Sequence, residues 1–292
     1  MKRSIALGIL AAAPLAGCGL DRAVTKVGSK NFTESLLLGE LYAQILEAHK
    51  LHVRRRLDLG GTDIAMAALQ RGQIDLYPEY TGTALLVVLK APLQGDPSRT
   101  FAFVRDAYAT RYGLTWLAPA PMNNTEALAT TKSVAARYGL VTLSDVARQA
   151  PHLRLGAVPE FLQRPDGLPG LRRVYGGFDF GQIRELDFGL KYRALAAGDV
   201  DIVVAFGTDG AILADDLVVM RDDRHLFPPY NVAPVVRTAT LRERPEIATA
   251  LDRVAPLLTD ATMRALNDQI DGARKREPAD VAADFIEAHG LG

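Results

Sequence analysis

The chain has 292 residues, 34 basic and 34 acidic side chains, and a single cysteine, Cys18. The even charge balance excludes a large nucleic-acid footprint, which needs a basic excess. One cysteine excludes intramolecular disulfides and thiolate metal clusters, and the length fits one large or two smaller domains.

At the start, Lys2 and Arg3 precede an apolar run from Ile5 to Ala13. The run is too short for a permanent membrane span and has the form of a secretory signal over residues 1–17. It ends in Leu15-Ala16-Gly17-Cys18, which resembles a bacterial lipobox. Cleavage there would leave Cys18 first in the chain, with a diacylglyceryl group on its sulfur as a membrane tether. The alternative is an ordinary signal peptide with an incidental cysteine. No second long apolar run follows.

Residues 24–28 read as a strand. The loop Ser29-Lys30-Asn31-Phe32-Thr33-Glu34 leads into a helix with Leu37, Leu41 and Ile45 near 3.6-residue spacing, and Thr33 is a candidate N-cap. A strand over 53–59, a helix over 64–71 closed by Gly72, and a strand over 74–77 follow. Strands alternating with helices favour an α/β sheet covered by helices. The pattern restarts after Asn123-Asn124-Thr125. It predicts a helix over 142–150 capped by Thr142 or Ser144, a strand over 153–158, and a loop with a short helix over 161–175. A helix over 190–197 closed by Gly198 then precedes a continuous apolar strand over 200–205, of the kind buried on both faces. Strands over 218–220 and 232–236 flank Phe227-Pro228-Pro229-Tyr230, and helices over 246–258, 260–270 and 279–289 end the chain.

Two of these stretches are near copies. Residues 68–83 and 194–209 align without a gap: Leu69 with Leu195, Gly72 with Gly198, Ile74 with Val200, Asp75 with Asp201. Each ends on a ring, Tyr80 in one and Phe206 in the other. A unit used twice, with an aromatic at the same point, predicts two lobes facing one ligand. The chain leaves the first lobe near residue 124 and returns near 230, and two such crossings make a hinge, a preferred place for ligand sites.

The sequence lacks a nucleophile elbow, a dinucleotide or phosphate loop, and a paired-histidine zinc motif. His49 and His52 lie three apart without nearby carboxylates and read as a solvated helix end. Neither catalysis nor a metal or cofactor is therefore expected. Thr208 and Asp209 read as a strand end capping the next helix, and Tyr77 and Tyr192 as packing residues.

The motifs that remain stand in a fixed order: Gly28-Ser29-Lys30-Asn31-Phe32-Thr33-Glu34, Tyr77-Pro78-Glu79-Tyr80-Thr81-Gly82-Thr83, Asn123-Asn124-Thr125, Pro159-Glu160-Phe161, Arg164-x-Asp166-Gly167, Thr208-Asp209-Gly210 and Pro228-Pro229-Tyr230. Together they resemble the substrate-binding proteins of osmoprotectant ABC importers, the glycine betaine/carnitine/choline-binding family, over nearly all of the chain after the signal. The resemblance implies a two-lobed α/β fold of the periplasmic-binding-protein type II kind, with a two-strand hinge. Lobe I would comprise 18–124 and 231–292, and lobe II 125–230. It implies a monomeric, non-enzymatic receptor, periplasmic or cell-surface and lipid-anchored through Cys18. Its partners would be a small quaternary ammonium or amine ligand and the permease and ATPase subunits of the importer.

In that family a quaternary ammonium sits in a cage of aromatic rings. It cannot donate hydrogen bonds, and each ring face attracts the cation by roughly 0.5–2 kcal/mol. Position by position, Tyr80, Tyr230 and Phe206 fall on cage tyrosines, Phe206 without the hydroxyl. Lys30, Thr83 and Arg164 fall on positions that bind a ligand carboxylate, although Arg164 could instead pair with Asp166 or Glu160. The fourth cage tyrosine is replaced by Glu126. Glu126 either points into the cleft, favouring a cation or an N–H donor, or swings to the rim and leaves the cage incomplete; Tyr77 or Phe178 could then complete it. The alternatives are the same fold binding an amino-acid-like or other cationic amine solute, and a sensory rather than transport receptor.

Overall fold

The computed structural model describes residues 24–93 and 96–292; the expected signal segment, residues 1–17, and Cys18 lie outside the described residues. Ten strands form two five-stranded sheets. The first contains β1 (Val24–Gly28), β2 (His52–Arg56), β3 (Leu76–Tyr80), β4 (Leu114–Trp116) and, from far along the chain, β10 (Val232–Arg237). The second contains β5 (Glu126–Thr130), β6 (Arg154–Ala157), β7 (Gln182–Glu185), β8 (Ile202–Phe206) and β9 (Val218–Val219). The chain thus passes from one sheet to the other over 117–125 and back over 220–231, giving the two-lobed α/β fold.

The sheets share one plan. Their orders are β2-β1-β3-β10-β4 and β7-β6-β8-β5-β9. In each, the opening strand of the parallel three-strand unit, β1 or β6, has parallel neighbours on both sides, and the strand that enters from a crossover lies antiparallel beside the repeat strand. The repeat strands are β3 and β8, and the entering strands are β10 and β5. Tyr80 pairs with Val232 in one sheet and Phe206 with Glu126 in the other. Glu126 therefore occupies in the second lobe the register position of Val232 in the first.

The repeat carries the same bonds twice. Helices Thr62–Gln70 and Lys191–Ala196 stop just before Gly72 and Gly198, which adopt φ of +69° and +72°. Side chains rarely tolerate this left-handed backbone, so glycine ends both helices. Three residues on, the Asp75 and Asp201 carboxylates each accept the backbone N–H of the opening strand, from Lys26 and Arg154, at 2.8 Å. The backbone N–H of each aspartate returns a bond to the carbonyl of that same residue. The aspartates lock helix turn to sheet.

The core follows the apolar patterning. Leu38, Leu41 and Ile45 on helix Thr33–Ala48 pack with Leu251, Val281 and Phe285 from the C-terminal helices. A separate cluster around Leu155, Phe161, Leu171 and Val204 fills the second lobe. Strand β2 is an edge, where three arginines are tolerated; Arg55 reaches Glu40 and Glu47. Two capping expectations resolve differently. Thr142 forms a capping box with Asp145. Thr33 caps nothing, because it is already the first helical residue and its hydroxyl bonds Asp271.

Asp75→Ala and Asp201→Ala each strand a backbone N–H, so each should lower unfolding free energy by about 1–3 kcal/mol. Denaturant titration would check this, with Asp75→Asn losing less because it keeps one acceptor.

Candidate functional site

The ends of β3 and β8 face each other across a cleft of about 590 Å³. All seven predicted ligand residues line it: Lys30, Tyr80, Thr83 and Tyr230 on the first-lobe and crossover side, and Glu126, Arg164 and Phe206 on the other. Glycine lets one of them approach. The Tyr230 ring lies so close to Gly82 that a Cβ there would come within 2.6 Å of it.

A row of four rings spans the cleft. Tyr80 lies 6.0 Å from Phe32, Phe32 stacks on Phe188 at 5.6 Å, and Phe188 stacks on Phe206 at 5.9 Å, centroid to centroid. The middle contact joins the lobes. Phe32 and Phe188 were not singled out from sequence. Phe32 sits inside the Ser-Lys-Asn-Phe-Thr-Glu motif, whereas the segment of Phe188 carries no pattern. Tyr77 and Phe178 do not complete the row: both are fully buried in the lobe cores, with the Tyr77 hydroxyl on Glu79. Tyr192, expected to be packing, does pack against the clusters around Leu195 and Ala129 and lines the cleft as well.

Phe206 already carries a cation. The Lys191 ammonium lies 4.4 Å from its ring centroid and 4.8 Å from that of Tyr192. Asp209 anchors Lys191 at 2.9 Å and also accepts the Tyr192 hydroxyl and the Phe206 N–H. The expected capping role of Asp209 is thus replaced by an ionic one, and helix Ala211–Ala214 has no side-chain cap. The Thr208 hydroxyl turns the other way and donates across the lobes to Glu34.

The predicted cations have protein partners. The Lys30 ammonium contacts buried Glu79 at 2.6 Å, and Glu79 also accepts the Tyr80 N–H and the Tyr77 hydroxyl. Arg164 forks onto Asp166 through Nε and Nη2 at 2.9 and 2.5 Å. Its Nε also lies 3.1 Å from Glu126 Oε1. Asp166 accepts the Tyr230 hydroxyl as well. Glu126 stays inside, 4% exposed, and its Oε2 is buried without a hydrogen-bond partner.

Glu34 is a further buried carboxylate of the cleft. It accepts from Tyr80 and Asn124 on Oε1 and from Thr208 and Asn267 on Oε2. Burial outweighs these donors and pushes its pKa up to about 7. Burial likewise pushes Glu126 up to about 8, against the attraction of Arg164 and with the repulsion of Asp166 and Glu160. Among the described residues no cluster of three or more His, Cys, Asp or Glu side chains is placed to hold a metal ion.

These two carboxyls give stability a definite pH dependence. Their folded values exceed the usual 4.5, so the folded protein binds more protons between about pH 4.5 and 8. Their contribution is therefore lost as pH rises through that window. The melting temperature of the ligand-free protein should fall from about pH 5 to about pH 8.5 in a thermal-denaturation series, and Glu34→Gln with Glu126→Gln should flatten the slope.

The geometry has counterparts. A family model described as the substrate binding domain of the ABC-type glycine betaine transport system matches residues 24–288. The chain is 38% identical to the glycine-betaine-binding protein of Pseudomonas aeruginosa, over all of this chain and 96% of that one. It is 34% identical to the ergothioneine transport permease/ergothioneine binding protein EgtU of Helicobacter pylori, over 91% of this chain and 47% of that longer protein. A crystal structure of a glycine betaine/carnitine/choline ABC transporter superposes with a TM-score of 0.76 at 31% identity, covering 91% of this chain and 99% of the other. This chain belongs to the family of substrate-binding domains of ABC-type glycine betaine transport systems.

Proposed function

We propose that the protein is the extracytoplasmic receptor of an ABC importer and captures a small quaternary ammonium or betaine-type solute between its lobes. The observation that carries this reading is the four-ring row across the interlobe cleft, from Tyr80 to Phe206. Ring faces attract a cation that has no hydrogen to donate, and they cover its methyl groups at the same time. Lys191 on Phe206 supports the idea that these faces suit an ammonium. Relatives whose names mention glycine betaine and ergothioneine support the solute class.

In this reading Tyr80, Tyr230 and Phe206 contact the ammonium, and Phe32 and Phe188 extend the apolar wall. Lys30, Thr83 and Arg164 orient the other end of the solute, and Glu126 sets which solutes fit. Residues 18–124 and 231–292 move as one lobe and 125–230 as the other, hinged at the crossovers. The solute favours closure by binding the closed state better. The closed form docks on a permease driven by an ATPase subunit. Cys18, once lipidated, keeps a monomeric receptor near that permease. The protein performs no chemistry on its solute.

Titration calorimetry with choline and with glycine betaine tests the assignment. Tyr80→Ala and Tyr230→Ala should each weaken the bound solute by at least about tenfold, which is about 1.4 kcal/mol. Tyr80→Phe, which keeps the ring face, should cost far less. Unchanged affinity in both alanine variants would overturn the role of the rings.

A further inference from the structure

We infer that Glu126 is the specificity-determining residue of this cleft, selecting a small monocation with a hydrogen-bond donor beside its ammonium over a zwitterion with a carboxylate. The inference rests on the reading of the cleft as a solute site.

The charges around the cleft do not cancel. Lys30, Arg164 and Lys191 are the buried cations of its wall, and each already faces a carboxylate: Glu79, Asp166 and Asp209. Glu34 and Glu126 have no cation of their own, so each adds a negative charge when ionised. Glu34 is satisfied by four neutral donors from Tyr80, Asn124, Thr208 and Asn267. Glu126 is not: Oε1 shares Arg164 with Asp166, and Oε2 is buried with no partner. A buried acceptor left empty is costly and is filled when a donor becomes available.

Glu126 also crowds the guanidinium that a ligand carboxylate would seek. Its Oε1 lies 3.1 Å from Arg164 Nε, the same nitrogen that donates to Asp166, so two acids already share that edge. An incoming carboxylate would meet Glu126 and Asp166 together, and like charges in a desolvated site repel strongly. A cation instead neutralises the excess, and a hydroxyl or N–H next to its ammonium fills Oε2.

The remaining groups facing Glu126 reinforce the sign. Glu160 and Asp166 add negative charge, while Arg164 and Lys191 oppose it; Tyr230 is held protonated by burial beside Asp166 and Glu126. Burial holds the Glu126 carboxyl above the usual carboxylate range, so it is more fully ionised at about pH 9 than at about pH 6. A cation should therefore bind more tightly as pH rises, and a carboxylate-bearing zwitterion less tightly.

The test is titration calorimetry of the full chain with choline and with glycine betaine at about pH 6 and about pH 9. At the higher pH choline should bind at least about tenfold tighter than glycine betaine, and the preference should shrink at the lower pH. Glu126→Gln, with folding checked by circular dichroism, should remove both the preference and its pH dependence. The wild-type pH series stands without the variant. Equal binding of the two solutes at about pH 9, tighter binding of glycine betaine, or a preference surviving in Glu126→Gln would overturn the inference while leaving the solute site intact. Binding of neither solute would sink both.

Discussion

One buried carboxylate ties the parts of this molecule together. Glu34 accepts from Tyr80 at the end of β3, from Asn124 in the first crossover, from Thr208 after β8, and from Asn267 on helix Asp260–Asp271. Two of these donors belong to the ligand side of the first lobe, one to the hinge and one to the second lobe. The arrangement is tolerated because every oxygen is doubly bonded; an unsatisfied buried carboxylate would be far more costly. Neighbouring contacts follow the same seam. Arg264 donates to the Gly207 carbonyl, and Gly210 packs so tightly on Asp268 that a Cβ would come within 2.6 Å of its backbone.

The shared sheet plan explains why the site sits where it does. Each repeat strand ends at the cleft, and each entering strand begins beside that end. The first sheet places Tyr80 against Val232, and the second places Phe206 against Glu126. The pseudo-equivalent positions are an apolar residue buried in one lobe and an acid in the other. Residue 126 stands at that point because β5 begins there as the chain leaves the first crossover. Its environment, more than its identity, then decides its chemistry: Arg164 draws on one oxygen while burial isolates the other.

Much of this was legible in the sequence, and the reasons differ by feature. Gly72, Gly198, Asp75 and Asp201 follow from the repeat by simple alignment; the glycines act through their left-handed backbone and the aspartates through carboxylates that accept backbone N–H groups. The ordered motifs located Lys30, Tyr80, Thr83, Glu126, Arg164, Phe206 and Tyr230, and the structure brings all seven to one cleft. The ion pairs were less legible. Glu79 lies one residue before Tyr80 but is drawn to Lys30 from another strand–helix loop, a contact across 49 residues of chain. Asp209 joins Lys191, Tyr192 and the Phe206 N–H only after helix and strand have folded against each other. Phe188 comes from a loop with no periodic pattern, and its partner Phe32 belongs to the other lobe, so their stack exists only in the assembled cleft.

The same assembly couples ring geometry to closure. The Tyr80 hydroxyl and the Thr208 hydroxyl bond opposite oxygens of Glu34, one from each lobe. Phe32 and Phe188 meet across the same gap. Opening the lobes would part both contacts, leaving Glu34 with one donor fewer and two ring faces exposed to water. Those self-contacts set how much of the closed form exists without solute. A solute shifts the hinge equilibrium only by binding the closed form better than the open one. Because Glu34, Glu79, Asp166 and Asp209 are already matched inside the protein, Glu126 is the cleft carboxylate left with an open acceptor.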